Sequence, residues 1–175
     1  MRLFIAVNFS DATKNSLVSW RDELRENSSS GKFSLTENLH LTLAFLGECS
    51  AKQMTAAKSA MDALTVAPFD ITIESIGRFK RDGGDIWWAG VAESNALLEF
   101  QANLIAKLRE AGFALEERKY SPHITLGREV ITGAEPRKIE PLGEIVTKFE
   151  LMKSEYTGGK LVYTAIHVAG MCKFK

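Results

Sequence analysis

The sequence predicts an α+β protein: two pseudo-twofold-related lobes of antiparallel sheet, helices on their outer faces, and an active-site cleft between the lobes. Three observations predict it. Strand-like and helix-like runs alternate along the chain, the same order of runs occurs twice, and His-x-Thr stands at the same place in both copies, at 40–42 and 123–125. The offset between copies is nearly constant: Val7 and Val91 lie 84 residues apart, Leu24 and Leu108 also 84, and His40 and His123 83. Residues 1–175 are therefore read as a single domain with an internal duplication.

The elements follow in order. Arg2 to Val7 is an apolar strand, and Ser10 caps a helix whose Leu17, Trp20 and Leu24 recur at three and four. After Gly31-Lys32-Phe33 comes the strand Leu39 to Leu43. A helix over 51–64 carries Met54, Ala57, Met61 and Leu64 on one face. Phe69 to Glu74 alternates, a Gly83-Gly84 turn follows, and Asp85 to Val91 completes a hairpin. A second helix starts after Ser94, with Leu97, Leu104, Ile105 and Leu108 as its stripe, and leads through Gly112-Phe113-Ala114 to the strand at 122–126. Pro136 and Pro141 allow only a short helix within 134–145. Phe149 to Met152 and Leu161 to Val168 form the last hairpin around Gly158-Gly159.

The composition is that of an ordinary globular protein, 45% hydrophobic and 25% charged. Basic and acidic residues number 22 each, so no whole-molecule field favours a polyanion, although a local basic patch still could. Arg78, Lys80 and Arg81 before the glycine turn form such a cluster, as do Arg118 and Lys119; solvated charge is the competing reading. Cys49 and Cys172 lack partners at metal-finger spacing and read as reduced thiols. The apolar start is too short for a signal peptide and no run is long enough to span a membrane, so a cytoplasmic location is expected.

The chemistry lies in the two strands. Side chains alternate along a strand, so Leu39, Leu41 and Leu43 pack inward while His40 and Thr42 face out. Ile124 and Leu126 pack likewise, leaving His123 and Thr125 outward. A lone strand histidine is more often structural, but packing does not require the same hydrophilic pair in both copies. In-line displacement at phosphorus does give a reason: one imidazole takes a proton from water while the other protonates the leaving oxygen. The threonine hydroxyls, roughly 6.5–7 Å along each strand, suit the nonbridging oxygens; β-propensity is their alternative explanation. Arg128 pairs with phosphate oxygens or is an exposed strand-end arginine. His167 has no threonine two residues on and no duplicate, and reads as structural. One imidazole per strand does not make a zinc site, so neither metal nor cofactor is expected.

The segments His40-Leu41-Thr42-Leu43-Ala44-Phe45-Leu46-Gly47-Glu48 and Ser121-Pro122-His123-Ile124-Thr125-Leu126-Gly127-Arg128 resemble the paired motifs of the two-histidine (2H) phosphoesterase superfamily. The opening Arg2 to Val7 is similar to its bacterial and archaeal branch, the RNA 2′,3′-cyclic phosphodiesterases, also called 2′-5′ RNA ligases. The resemblance implies hydrolysis of an RNA or nucleoside 2′,3′-cyclic phosphate to a 2′-phosphate, with His40 as proton donor, His123 as proton acceptor, and Thr42, Thr125 and Arg128 as phosphate ligands. Phe9, Phe45 and Tyr120 are candidates to stack on a base, against core packing as the alternative. Implied partners are RNA ends or nucleotides with a cyclic phosphate and tRNA halves, with no membrane, and the chain is expected to be monomeric. The competing functions are reversible 2′-5′ ligation of tRNA halves and non-catalytic binding of RNA ends; matched acid and base favour catalysis over mere binding.

Overall fold

The computed structural model describes residues 1–172. The first strand, β1 (Arg2–Asn8), is buried from Leu3 to Val7, as a central strand covered on both faces must be. Ser10 then caps α1 (Asp11–Glu26), its side chain accepting from the Thr13 amide. The chain continues through β2 (Ser28–Phe33), a single 3-10 turn (Thr36–Asn38), β3 (His40–Glu48), α2 (Ala51–Asp62), β4 (Phe69–Phe79), β5 (Asp85–Val91) and α3 (Asn95–Glu110). It ends with β6 (His123–Thr132), β7 (Arg137–Val146), β8 (Lys148–Thr157) and β9 (Lys160–Gly170). Ser50 and Gln53 form a capping box on α2, and Ser94 caps α3.

Two antiparallel sheets carry the two lobes, ordered β3-β1-β8-β9 and β2-β6-β5-β4-β7. Matching β3 with β6, β1 with β5, β8 with β4 and β9 with β7 brings the four-stranded sheet onto four neighbouring strands of the other. The lobes are not the two halves of the sequence. The C-terminal hairpin β8–β9 joins β1, and β2 leaves the first half to pair with β6. One apolar core runs through both lobes and includes Leu17, Leu41, Met61, Trp87, Leu104, Ile124 and Phe149.

One expectation is corrected, and one element is added. The segment at 134–145 holds no helix; Arg137–Val146 is the edge strand β7. Pro141 is tolerated there because the strand bonds only to β4 and the register shifts between Leu142 and Lys138, where no ladder donor is needed. The Ser-rich stretch before Phe33, to which the sequence reading assigns no element, is the edge strand β2. Among the described residues no helix is long and apolar enough to cross a membrane.

Candidate active site

Each His-x-Thr opens a strand, and burial follows the alternation. Leu41, Leu43, Ile124 and Leu126 are buried, whereas His40, Thr42, His123 and Thr125 are only half-buried. Past each threonine the ladder breaks. Thr42 lies opposite Ala6 but Ala44 opposite Ile5, so Leu43 is bulged; Thr125 lies opposite Trp88 but Gly127 opposite Trp87, so Leu126 is bulged. A bulge reverses the parity of everything beyond it. It therefore turns the residue five positions after each histidine onto the histidine's own face: Phe45 on β3 and Arg128 on β6. Phe45 lies opposite Phe4, whose ring touches His40, and is 52% exposed. Gly127 faces the core, where an added Cβ would meet Val130 at 2.9 Å and the Phe33 ring at 3.0 Å.

The imidazoles are held alike. Nδ1 of His40 lies 2.7 Å from the Asn38 carbonyl, and Nδ1 of His123 lies 2.7 Å from the Ser121 carbonyl, two residues upstream in both strands. Each Nδ1–H thus donates to the backbone, which directs the tautomer and leaves Nε2 for chemistry. His40 rests against Phe4 and Tyr163, with ring centroids at 4.8 and 5.3 Å. His123 rests against Phe79 at 5.0 Å and Trp88 at 6.4 Å. Burial against these rings pushes the His40 pKa down to about 4, and burial likewise lowers that of His123. The Arg128 charge adds to the lowering at both rings, and His123 adds to it at His40, so the three groups share one electrostatic neighbourhood. One asymmetry remains: Nε2 of His40 accepts from the Thr42 hydroxyl at 2.9 Å, whereas among the described residues His123 has no such bond to Thr125.

Each motif is tied to a neighbouring segment, the first of them across the lobes. Tyr120 donates its hydroxyl to the Thr42 carbonyl at 2.9 Å, and Ser34 donates to the Thr125 carbonyl at 2.8 Å. Buried Arg21 holds that Ser34 loop through the Ser34 carbonyl and the Thr36 hydroxyl. Asn38 donates to the Leu161 carbonyl on β9. Glu144 of β7 accepts from the Ser10 amide and the Ser10 and Thr13 hydroxyls at the start of α1, where the helix dipole favours a carboxylate.

Of the residues singled out from sequence, His40, Thr42, His123, Thr125, Phe45 and Arg128 lie on the strand faces that carry the two histidines. Phe9 does not; it is 8% exposed and packed in the core, with no open ring face. Tyr120 is spent on its hydrogen bond and on packing against the core, and burial raises its pKa. His167 bonds Asp62 at 2.8 Å, joining β9 to α2. Phe4, Tyr163, Phe79, Trp88 and Lys14, whose charge also reaches His40, were not anticipated. The duplication held a signal for two of them, because Phe4 and Trp88 stand 84 residues apart. Among the described residues no cluster of three His, Cys, Asp or Glu side chains could hold a metal ion.

Two antiparallel sheets, each presenting a backbone-clamped histidine and a threonine, are the arrangement of a 2H phosphoesterase. The chain belongs to the 2′-5′ RNA ligase superfamily, whose family model matches residues 10–152. It is 31% identical to a protein of Archaeoglobus fulgidus named RNA 2′,3′-cyclic phosphodiesterase, across 96% of this chain and 99% of that one. It is 29% identical to the Escherichia coli K12 protein of the same name, across 94% and 93% of the two chains. Among solved structures, one from Thermus thermophilus superposes with a TM-score of 0.86 at 27% identity, covering 98% of each chain. E. coli LigT in its apo form superposes with a TM-score of 0.83 at 26% identity over the same share, and LigT has also been solved with 3′-AMP.

Proposed function

We propose that the chain hydrolyses the 2′,3′-cyclic phosphate of RNA ends or nucleosides to a 2′-phosphate, by metal-independent acid–base catalysis with His40 and His123. The observation that carries this reading is the matched pair of Nδ1-clamped imidazoles, both within reach of the Arg128 charge. The relatives named for RNA 2′,3′-cyclic phosphate and the LigT complex with 3′-AMP support the substrate class. We further read the whole chain as one catalytic unit arisen by duplication, because the sheets, the clamps and the bulges all recur.

Water attacks phosphorus in line with the P–O3′ bond. Nε2 of His123, kept neutral by its lowered pKa, takes the water proton as the new P–O bond forms. Nε2–H of His40 gives its proton to O3′ as the P–O3′ bond breaks, and O2′ keeps the phosphate. The Thr42 and Thr125 hydroxyls and the Arg128 guanidinium bind the nonbridging oxygens. An imidazole with a pKa near 4 is neutral at pH 7 in the free protein. The anionic phosphodiester set against it favours the imidazolium and so loads the acid when substrate binds. The exposed Phe45 ring, which has the Arg2 guanidinium 5.0 Å from its centroid, offers its other face for the base.

The test is turnover of nucleoside 2′,3′-cyclic phosphates with the product isomer determined. The 2′-phosphate alone, formed at the same rate with and without chelator, is expected. A 3′-phosphate product, or no turnover, would refute the reading.

A further inference from the structure

Past His123, the face of the larger sheet that carries it continues as a chain of rings and cations. Phe79 ends β4 on the same side as Gly77 and Trp88, while Arg78 and Trp87 point to the opposite face. Gly77 is needed there because an added Cβ would lie 2.3 Å from the Trp88 ring. The Phe79 ring touches His123 edge-on at 5.0 Å and carries the Arg81 guanidinium 5.8 Å from its centroid. The two steps bring that cation to within about 11 Å of the imidazole.

The cations at this hairpin tip differ in availability. Arg78 is taken up by Asp85 at 3.6 Å and Glu135 at 3.8 Å, and its guanidinium packs over Trp87. Lys80 and Arg81 are exposed, and among the described residues neither has an acidic side chain within ion-pair distance. Asp85 instead holds the turn itself, accepting from the Arg81 amide at 3.0 Å. In a chain of zero net charge, two cations outside any ion pair, one of them donating a single guanidinium N–H to the Lys80 carbonyl at 2.8 Å, form a local basic platform beside a half-buried aromatic ring that touches a candidate catalytic histidine. A ring with adjoining cations is what a single-stranded polynucleotide recognises, by stacking and by phosphate pairing.

We infer that Phe79, Lys80 and Arg81 form a subsite for the sugar-phosphate backbone of the RNA strand leading to the cyclic end, so that the preferred substrate is an oligonucleotide rather than a mononucleotide. The inference rests on the proposed hydrolysis and names its substrate class. Cations on the tip act on binding of the strand and leave the chemistry at phosphorus unchanged.

The experiment compares kcat/KM for uridine 2′,3′-cyclic phosphate and for a short oligouridylate ending in the same group. It uses the wild type, K80A/R81A, and the charge-retaining K80R/R81K. The wild type should prefer the oligonucleotide, and that preference should fall roughly sevenfold between about 50 and 200 mM salt, the slope expected for two phosphate contacts on a single strand. K80A/R81A should turn over the mononucleotide at the wild-type rate yet lose the preference and most of its salt dependence, while K80R/R81K keeps both. Equal kcat/KM on the two substrates in the wild type, or an unchanged preference in K80A/R81A, overturns the subsite while leaving the hydrolysis standing. Absence of turnover on both substrates overturns the hydrolysis and the subsite with it.

Discussion

Lowering the pH should destabilise this protein through His40. The unfolded chain binds a proton on that imidazole near pH 6.5, whereas the folded protein, with the ring packed against Phe4 and Tyr163, binds it only near pH 4. Between these values the unfolded state holds more protons, so stability falls as pH falls. The neutral-histidine contribution is complete above pH 6.5 and is lost progressively down to pH 4. With each tenfold difference in proton affinity worth about 1.36 kcal/mol, the loss is about 2 kcal/mol at pH 5 and about 3 kcal/mol at pH 4. The assay is urea unfolding of the wild type and of His40→Gln at pH 7, 6 and 5. The variant starts from a different stability, but its pH slope should be shallower by about 2 kcal/mol between pH 7 and 5. Parallel slopes would show that His40 is not held neutral by burial, and would remove the need for substrate to load the acid.

The remaining predictions concern the machinery and its support. Replacing His40 or His123 by alanine should lower kcat by roughly 10²–10⁴ with the fold retained by circular dichroism, and the double variant should fall far short of the product of the two losses. Arg128→Ala removes a charged hydrogen bond to phosphate worth about 1.5–3 kcal/mol, so kcat/KM should drop roughly 10- to 100-fold. Gly127→Ala should cost about 1–3 kcal/mol in urea unfolding, because its Cβ would press on Val130 and Phe33 in a packed core; an unchanged midpoint would mean that β2 lifts away without cost.

The histidines and threonines were readable from sequence because period-2 alternation and duplication both act locally. The helices were readable from apolar residues recurring at three and four, and each starts at a serine whose side chain accepts an amide hydrogen bond. Phe45 was singled out only because it follows the first motif; the face it occupies was not readable. Strict alternation puts it on the face of Leu41 and Leu43, and only the bulge at Leu43 returns it to the face of His40. The same bulge in β6 gives Arg128 its place, so the tie between a +5 position and the site lies in ladder geometry and not in residue type. β2 and β7 escaped because Ser28-Ser29-Ser30 and Pro141 are poor strand formers, tolerated on sheet edges whose partner strands supply the ladder. The rings around each histidine come from strands distant in sequence, Tyr163 from β9 and Phe79 from β4, a juxtaposition set by sheet order.

At the centre of the account is one phosphate group engaged by both imidazoles. Its most direct measurement is a titration of histidine-labelled protein with a nucleoside 2′-phosphate, following the ring nitrogens of His40 and His123 by NMR. Both Nε2 signals should move along a single one-to-one isotherm, and the His40 pKa should rise from about 4 toward neutrality in the complex. Two different isotherms, or a response from one ring alone, would contradict it.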